Sequence, residues 1–235
     1  MLDFKKYKYK YDLHVHSIPT SVCGDFSPEE VVNIYKNAGF CGFALTNHMY
    51  DGPQEYGPKE KFVKAYLDAY KRAKNAGEKL GISVFLGIEI RFPESTNDYL
   101  VYGIDEEDVS RAYDYIFTSY EKFYTEFKNE RNLIIQAHPL RQPCFAQDVR
   151  LLDGIEVFNM HPGHNQRTAL AAKLAYENPH LLITGGTDFH HEGHQGMCAL
   201  LSDREIHNSF MLAEVIRSKD YILDIWGNKI VPNTF

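Results

Sequence analysis

The chain has 235 residues, 44% hydrophobic and 24% charged, with a formal net charge of -7, which fits one globular domain or at most two. The acidic balance argues against a protein that coats nucleic acid, because phosphate backbones reward a basic surface. It leaves a small anionic substrate open, since metal ions can supply local positive charge.

Cys23, Cys41, Cys144 and Cys198 form no C-x-x-C pair and read as reduced thiols. No apolar run approaches the roughly 20 residues that span a bilayer. The stretch Met1-Leu2-Asp3-Phe4-Lys5-Lys6-Tyr7 lacks an apolar signal core, so the expected location is the cytoplasm, away from membranes.

In chain order, Tyr11–His16 reads as the first strand. Ser27-Pro28-Glu29-Glu30 follows as a capping box with proline at the first helical position, and Gly39 is a plausible helix end. Further strands are expected at Gly42–Asn47, Ser83–Glu89, Tyr99–Ile104, Leu133–His138, Gly154–Phe158, Leu181–Thr187 and Met197–Leu201. Helices are expected from Glu60 to about Lys79 and over Asp108–Asn129, Asn165–Glu177 and Ile206–Arg217. No repeat or Ser/Gly-rich linker interrupts the pattern, so residues 1–235 read as a single domain. Seven or eight short strands alternating with helices predict a parallel α/β fold, a barrel rather than an open sheet. The aromatics of the 108–129 segment, Tyr113 to Phe127, recur at helical spacing. They read as core packing, with a nucleobase-stacking surface as the alternative.

The polar residues gather at strand ends. His14 and His16 close the first strand two positions apart, and strand side chains two apart share a face. Asn47 and His48 close the second strand, Glu89 the third and His138 the fifth; Asn159, Asp188 and His190 come after the later ones. In parallel barrels the strand C-termini share one rim, where sites are assembled. Asp98 breaks the pattern, because it stands at the start of its strand. The His14/His16 pair alone has an ordinary packing explanation. Joined by Asp188 and His190 it points to a metal site, for which imidazole and carboxylate together suit Zn, Mn or Fe. Glu89 ends an apolar run, and a buried carboxylate there needs a partner. His161, His180 and His207 read as solvent-facing, and His191 as lying behind the site.

Asp12-Leu13-His14-Val15-His16-Ser17, Thr46-Asn47-His48, Gly87-Ile88-Glu89, Ala137-His138-Pro139 and Gly186-Thr187-Asp188-Phe189-His190 occur in the order of the PHP (polymerase and histidinol phosphatase) family, which the chain resembles. The resemblance implies a distorted seven-stranded β/α barrel, (β/α)7, with two or three divalent ions at one rim and hydrolysis of phosphate esters. It places His14, His16, Glu89 and Asp188 on a first metal. Glu89 would bridge to a second metal shared with His138, and His48 and His190 would hold a third. Glu89, Asp188 and His190 are accordingly the candidate catalytic residues.

Two positions depart from the commoner family pattern. Cys23 stands where Asp or His is usual, and either binds metal or lines the site. Asp98 is the best-aligned residue where many relatives have histidine, and it either ligates or serves turn chemistry. Metal coordination lowers the pKa of water, so a metal-bound hydroxide is the expected nucleophile on phosphorus.

Arginine binds phosphate bidentately, which makes Arg141, Arg91 and Arg167 candidates for a small phosphorylated substrate, with His164 and His194 as further contacts or proton donors. Two other readings compete. An amidohydrolase also begins with H-x-H but typically supplies a bridging lysine from its fourth strand. A non-catalytic accessory PHP module would have lost its ligands. Pocket shape depends on the loops Met49–Lys59 and Phe92–Asp98, and the sequence does not set the oligomeric state.

Overall fold

The computed structural model describes residues 3–50 and 58–232. The strands are β1 (Tyr9–Val15), β2 (Gly42–Leu45), β3 (His48–Met49), β4 (Ser83–Leu86), β5 (Ile88–Arg91), β6 (Asp98–Tyr102), β7 (Leu133–Gln136), β8 (Gly154–Asn159), β9 (Leu182–Gly186), β10 (Cys198–Ser202), β11 (Ile222–Ile225) and β12 (Asn228–Ile230). The helices are α1 (Pro28–Asn37), α2 (Lys59–Leu80), α3 (Glu106–Tyr113), α4 (Tyr120–Phe127), α5 (Thr168–Glu177) and α6 (Ser209–Ser218).

The strands form two six-stranded sheets, ordered β12-β11-β10-β1-β2-β4 and β3-β5-β6-β7-β8-β9. Both sheets are mixed. β10 runs antiparallel to β1, and β6 runs antiparallel to both β5 and β7. The wholly parallel barrel expected from the alternating pattern is therefore corrected to an α/β fold of two mixed sheets. Among the described residues no ladder closes a barrel.

Residues 42–49 and 83–91 each pass from one sheet to the other: β2 and β4 lie in one, β3 and β5 in the other, and the expected strand at 42–47 stops short of β3. Gly87 sits at the second crossing, where an added Cβ would lie 2.8 Å from Cγ2 of Thr46. A side chain at this position would have to push the Thr46 methyl aside. The sheets meet again at the other side, where the His16 N–H donates to the Phe189 carbonyl at 3.1 Å and the Phe189 N–H to the His14 carbonyl at 3.1 Å.

Helix boundaries follow local chemistry. Ser27 and Glu30 form the expected capping box on α1, and Gly39 takes φ +76° just past its end. The single helix expected over 108–129 is instead two. Ser119 accepts the Lys122 N–H and so caps a fresh start for α4. The aromatics of this region are mostly core: Tyr113, Tyr120, Phe123 and Phe127 are buried, and Tyr120 stacks on Tyr99 with centroids 3.7 Å apart. α5 begins at Thr168 rather than Asn165, because Arg167 takes a left-handed backbone, φ +49°. The β11–β12 hairpin was not anticipated. No helix among the described residues is long and apolar enough to cross a membrane.

Candidate metal centre

β1 delivers His14, and His16 follows one residue past its end; both rings are buried with centroids 5.0 Å apart. Glu89 on β5 lies among four imidazoles. Its carboxylate is 3.2 Å from His14 Nε2, 3.3 Å from His16 Nε2, 2.8 Å from His48 Nδ1 and 3.2 Å from His138 Nε2. Asp188 Oδ1 lies 3.5 Å from His14 Nε2 and 3.4 Å from His16 Nε2. Two of these residues hold unusual backbone: φ is +31° at His138 and +54° at Asp188. Left-handed non-glycine residues collect where a site dictates side-chain aim. Asp188 is thus not extended, so strand alternation does not aim Asp188 and His190. The turn itself aims the carboxylate, and His190 Nδ1 sits 2.9 Å from the Asp188 carbonyl oxygen.

Asp98 looked misplaced only because its strand was taken as parallel. β6 runs antiparallel, so its first residue arrives at the same end of the sheet as Glu89 and His138. Asp98 lies 3.7 Å from His138 Nε2 and accepts a bidentate pair from Arg91 at 2.7 Å per contact. Three groups of potential ligand atoms result: His14, His16 and Glu89; Glu89, Asp98 and His138; and His16, His48 and His190.

Charge in this buried centre is strongly displaced. Burial works against the charged imidazolium of His14, but Glu156, Asp188 and Glu89 outweigh it and hold its pKa well above normal. His16 goes the other way, lowered by burial and by the neighbouring His190 and His48. Burial opposes ionisation of Glu89 and Asp188, yet the surrounding histidines keep both well below the usual carboxylate range. For His138, burial lowers and contacts with Cys144 and Glu89 raise, leaving it at about 9. His14 Nε2, His16 Nε2, His48 Nδ1 and Glu89 Oε2 are buried without a properly directed hydrogen bond. Buried polar atoms are normally satisfied, and these four orphans, shared between neighbouring donor groups, fit divalent cations.

The cleft above this centre, about 300 Å³, is lined by Cys23, His48, Glu89, Arg91, Arg141, His161, His164, Asp188, His190 and His191. Arg141 reaches in furthest, with Nη1 3.0 Å from Asp188 Oδ2 and Nη2 2.9 Å from His138 Nε2. Cys23 stands at the mouth, where burial raises its thiol but His190 and His48 outweigh that and bring it to about 6. Arg167 and His194 do not line this cleft. Arg167 borders a neighbouring cavity, and His194 packs beside His161 and His191. His161, read as solvent-facing, is half-buried in the cleft wall, where burial lowers it to about 4. His191 is exposed and bonds Asp25 at 2.8 Å. Of the loop Met49–Lys59, residues 51–57 lie outside the described residues.

Sequence reading missed Glu156. It is buried on β8, pairs with His14 Nδ1 at 2.9 Å, and accepts the His138 N–H and the Asn159 side-chain amide at 3.1 and 2.9 Å. Its signal was the one already used for Glu89, a carboxylate inside an apolar run. Asp12 likewise orders the β1 end, accepting the His14 and Thr187 N–H groups and the Tyr35 hydroxyl at 3.2, 3.0 and 2.8 Å. Cys144 packs against His138 Nδ1, 3.9 Å away. Such outer partners orient ligands and tune their basicity.

The PHP domain family profile matches residues 12–176, more than half of the chain, stopping short of Asp188 and His190. The chain belongs to the PHP domain family. Solved structures share this PHP fold at low identity. One is a two-domain protein from Bacteroides vulgatus ATCC 8482 containing a predicted PHP-like metal-dependent phosphoesterase: TM-score 0.66, 19% identity, 94% of this chain covered and 66% of that one, just under two thirds. Another, from Bifidobacterium adolescentis ATCC 15703, is provisionally assigned as a metal-dependent phosphoesterase: TM-score 0.52, 17% identity, 88% and 96% covered. A third is an amidohydrolase from Chromobacterium violaceum with bound sulfate: TM-score 0.51, 15% identity, 78% and 88% covered. No curated protein matches this PHP domain.

Proposed function

We propose that this PHP domain is a metal-dependent phosphoesterase acting on a small phosphorylated substrate. The observation that carries the reading is the set of four unsatisfied ligand atoms, three imidazole nitrogens and Oε2 of Glu89, the residue that belongs to two of the three donor groups. His14, His16, Glu89 and Asp188 would hold one divalent ion, Glu89, His138 and Asp98 a second, and His48 and His190 a third with Cys23 at its edge. Bound Zn, Mn or Fe would supply a nucleophile from water at neutral pH and offset charge on phosphoryl oxygens.

The protein's own groups complete the chemistry. Arg141 presents a guanidinium into the cleft, suited to a tetrahedral dianion. Arg91, locked on Asp98, adds positive potential at the wall. His161 accepts the Gly163 N–H on Nδ1 at 3.1 Å, so its neutral ring carries the proton on Nε2 and can donate to a substrate oxygen. We read the two sheets as the broken wall of the family's distorted barrel, and the cytoplasm as its setting. The acidic balance still argues against long nucleic acid.

The test is phosphate release from a panel of phosphomonoesters and nucleotides after loading with Mn, Fe or Zn, with elemental analysis alongside. His14→Ala and Asp188→Ala should each abolish turnover, a loss of at least a thousandfold, while leaving the circular dichroism spectrum unchanged. Wild-type turnover in either variant would sink the metal assignment. The Chromobacterium neighbour's name keeps an amidohydrolase as the second reading, so cyclic amides belong in the same panel. A loaded protein inert to both classes would instead favour an accessory module.

A further inference from the structure

Beside the metal cleft lies a second cavity of about 410 Å³, and His161 and His164 line both. Small-molecule sites typically span about 300–1,000 Å³. Among the described residues no carboxylate lines this cavity, although the chain carries a net charge of -7. Arg167 is its one full cation among the described residues, and Trp226 lines it too. We propose that this cavity is a base subsite, which makes the preferred substrate a nucleoside monophosphate with its phosphate over the metal centre and its base stacked on Trp226. The proposal rests on the phosphoesterase reading and extends it to the leaving group.

Three observations on separate residues support it. Trp226, the single tryptophan of the chain, is 59% exposed rather than buried. It forms with Gly227 the two-residue turn between Ile225 and Asn228, with φ +51° at Trp226 and +84° at Gly227. A turn with two positive φ values favours Asn-Gly, so a bulky indole here is held against local preference and offers an open stacking face. Arg167, at the cavity edge, also has a left-handed backbone, φ +49°, and its Nη2 donates to Gln142 Oε1 at 3.3 Å.

Gln166 is 92% buried and lines the cavity. Its Nε2 donates to the His161 carbonyl at 3.3 Å, which leaves Oε1 as a buried acceptor without a partner. An unpartnered acceptor on a residue that lines the same cavity as an aromatic face suits the exocyclic amino or ring N–H of a base. A sugar would stack on the same indole, but sugar hydroxyls are best held by carboxylates, and this wall has none.

Because Trp226 is the only indole, its fluorescence reports the subsite without turnover. Adenosine and adenosine 5′-monophosphate should quench it saturably, while ribose 5-phosphate and inorganic phosphate should not. In the metal-loaded protein Trp226→Leu should raise KM for adenosine 5′-monophosphate at least tenfold and leave kcat/KM for ribose 5-phosphate within twofold. Trp226→Asn suits the turn better, so it should keep or raise Tm and show the same loss of discrimination. Equal quenching by ribose 5-phosphate, or an equal effect of both variants on both substrates, overturns the subsite while leaving phosphoester hydrolysis intact. Quenching by adenosine in a loaded protein that releases no phosphate from any ester would support the subsite and reject the hydrolytic reading.

Discussion

Glu156 shows how the reactivity of one residue is set by another. Its carboxylate holds His14 Nδ1 and the His138 backbone together, so two candidate ligands on different strands share one anchor. Replacing it by glutamine keeps the volume but removes the charge and one acceptor. We predict that Glu156→Gln lowers affinity for Zn or Mn by about 10–100-fold, read by competition with a chromogenic chelator, with an unchanged circular dichroism spectrum. Unaltered affinity would mean that Glu156 only fills space. Glu156 was within reach of sequence reasoning, since Gly154-Ile155-Glu156-Val157-Phe158 repeats the logic of Glu89 in its own apolar run. It was passed over because it lies mid-strand rather than at an end. Asp12 was seen as part of a motif, but its role as acceptor for Thr187, 175 residues away, is a property of the packed chain.

At the scale of elements, the centre depends on how closely β9 approaches β1. A Cβ built on Gly186 would lie 2.4 Å from the His14 Cβ and 2.7 Å from Glu156 Oε1. Neither neighbour can retreat without moving a candidate ligand or its anchor. Gly186→Ala should therefore push β9 outward and carry Asp188 with it. Overpacking of this kind costs about 1–3 kcal/mol, so Tm should fall by roughly 2–12 °C at this chain length, together with most of the metal affinity. A thermal melt and a metal titration on the same sample check this, and an alanine variant that keeps both would refute the close approach. The reversal of β6 belongs to the same scale. Hydrophobic alternation locates a strand but carries no sign of its direction, so Asp98 could be found in the sequence and its position at the rim could not.

For the molecule as a whole, the metal-free centre is an internal array of opposite charges, and its stability must depend on pH. His14, His48 and His138 all have folded-state pKa values above the ordinary histidine value, His138 at about 9. A raised folded pKa contributes stability that is complete below about 6.5 and lost as pH climbs through the folded value. The Cys23 thiol, held down at about 6, works the other way in this window. The raised histidines outnumber it, so chelated protein should lose Tm on balance between pH 6.5 and 9, as followed by melts in a buffer series. Metal affinity should move the opposite way, rising about tenfold per pH unit for each proton displaced. A flat melting profile across that window would contradict the charge array.

The sequence by itself supplied the candidate donor inventory: the His14/His16 pair from strand alternation, Glu89 and His138 at the ends of apolar runs, Asp188 and His190 downstream, and the family these motifs resemble. Those readings need only local periodicity and side-chain chemistry. Tertiary structure alone decided that the strands form two mixed sheets rather than a parallel barrel. It also decided that Asp98 joins the centre, that Arg167 and His194 stand apart from the cleft, and that Trp226 lies beside it. The reason is physical: strand direction, sheet crossing and cavity walls arise from contacts between residues distant in sequence, and no local pattern encodes which of them will meet.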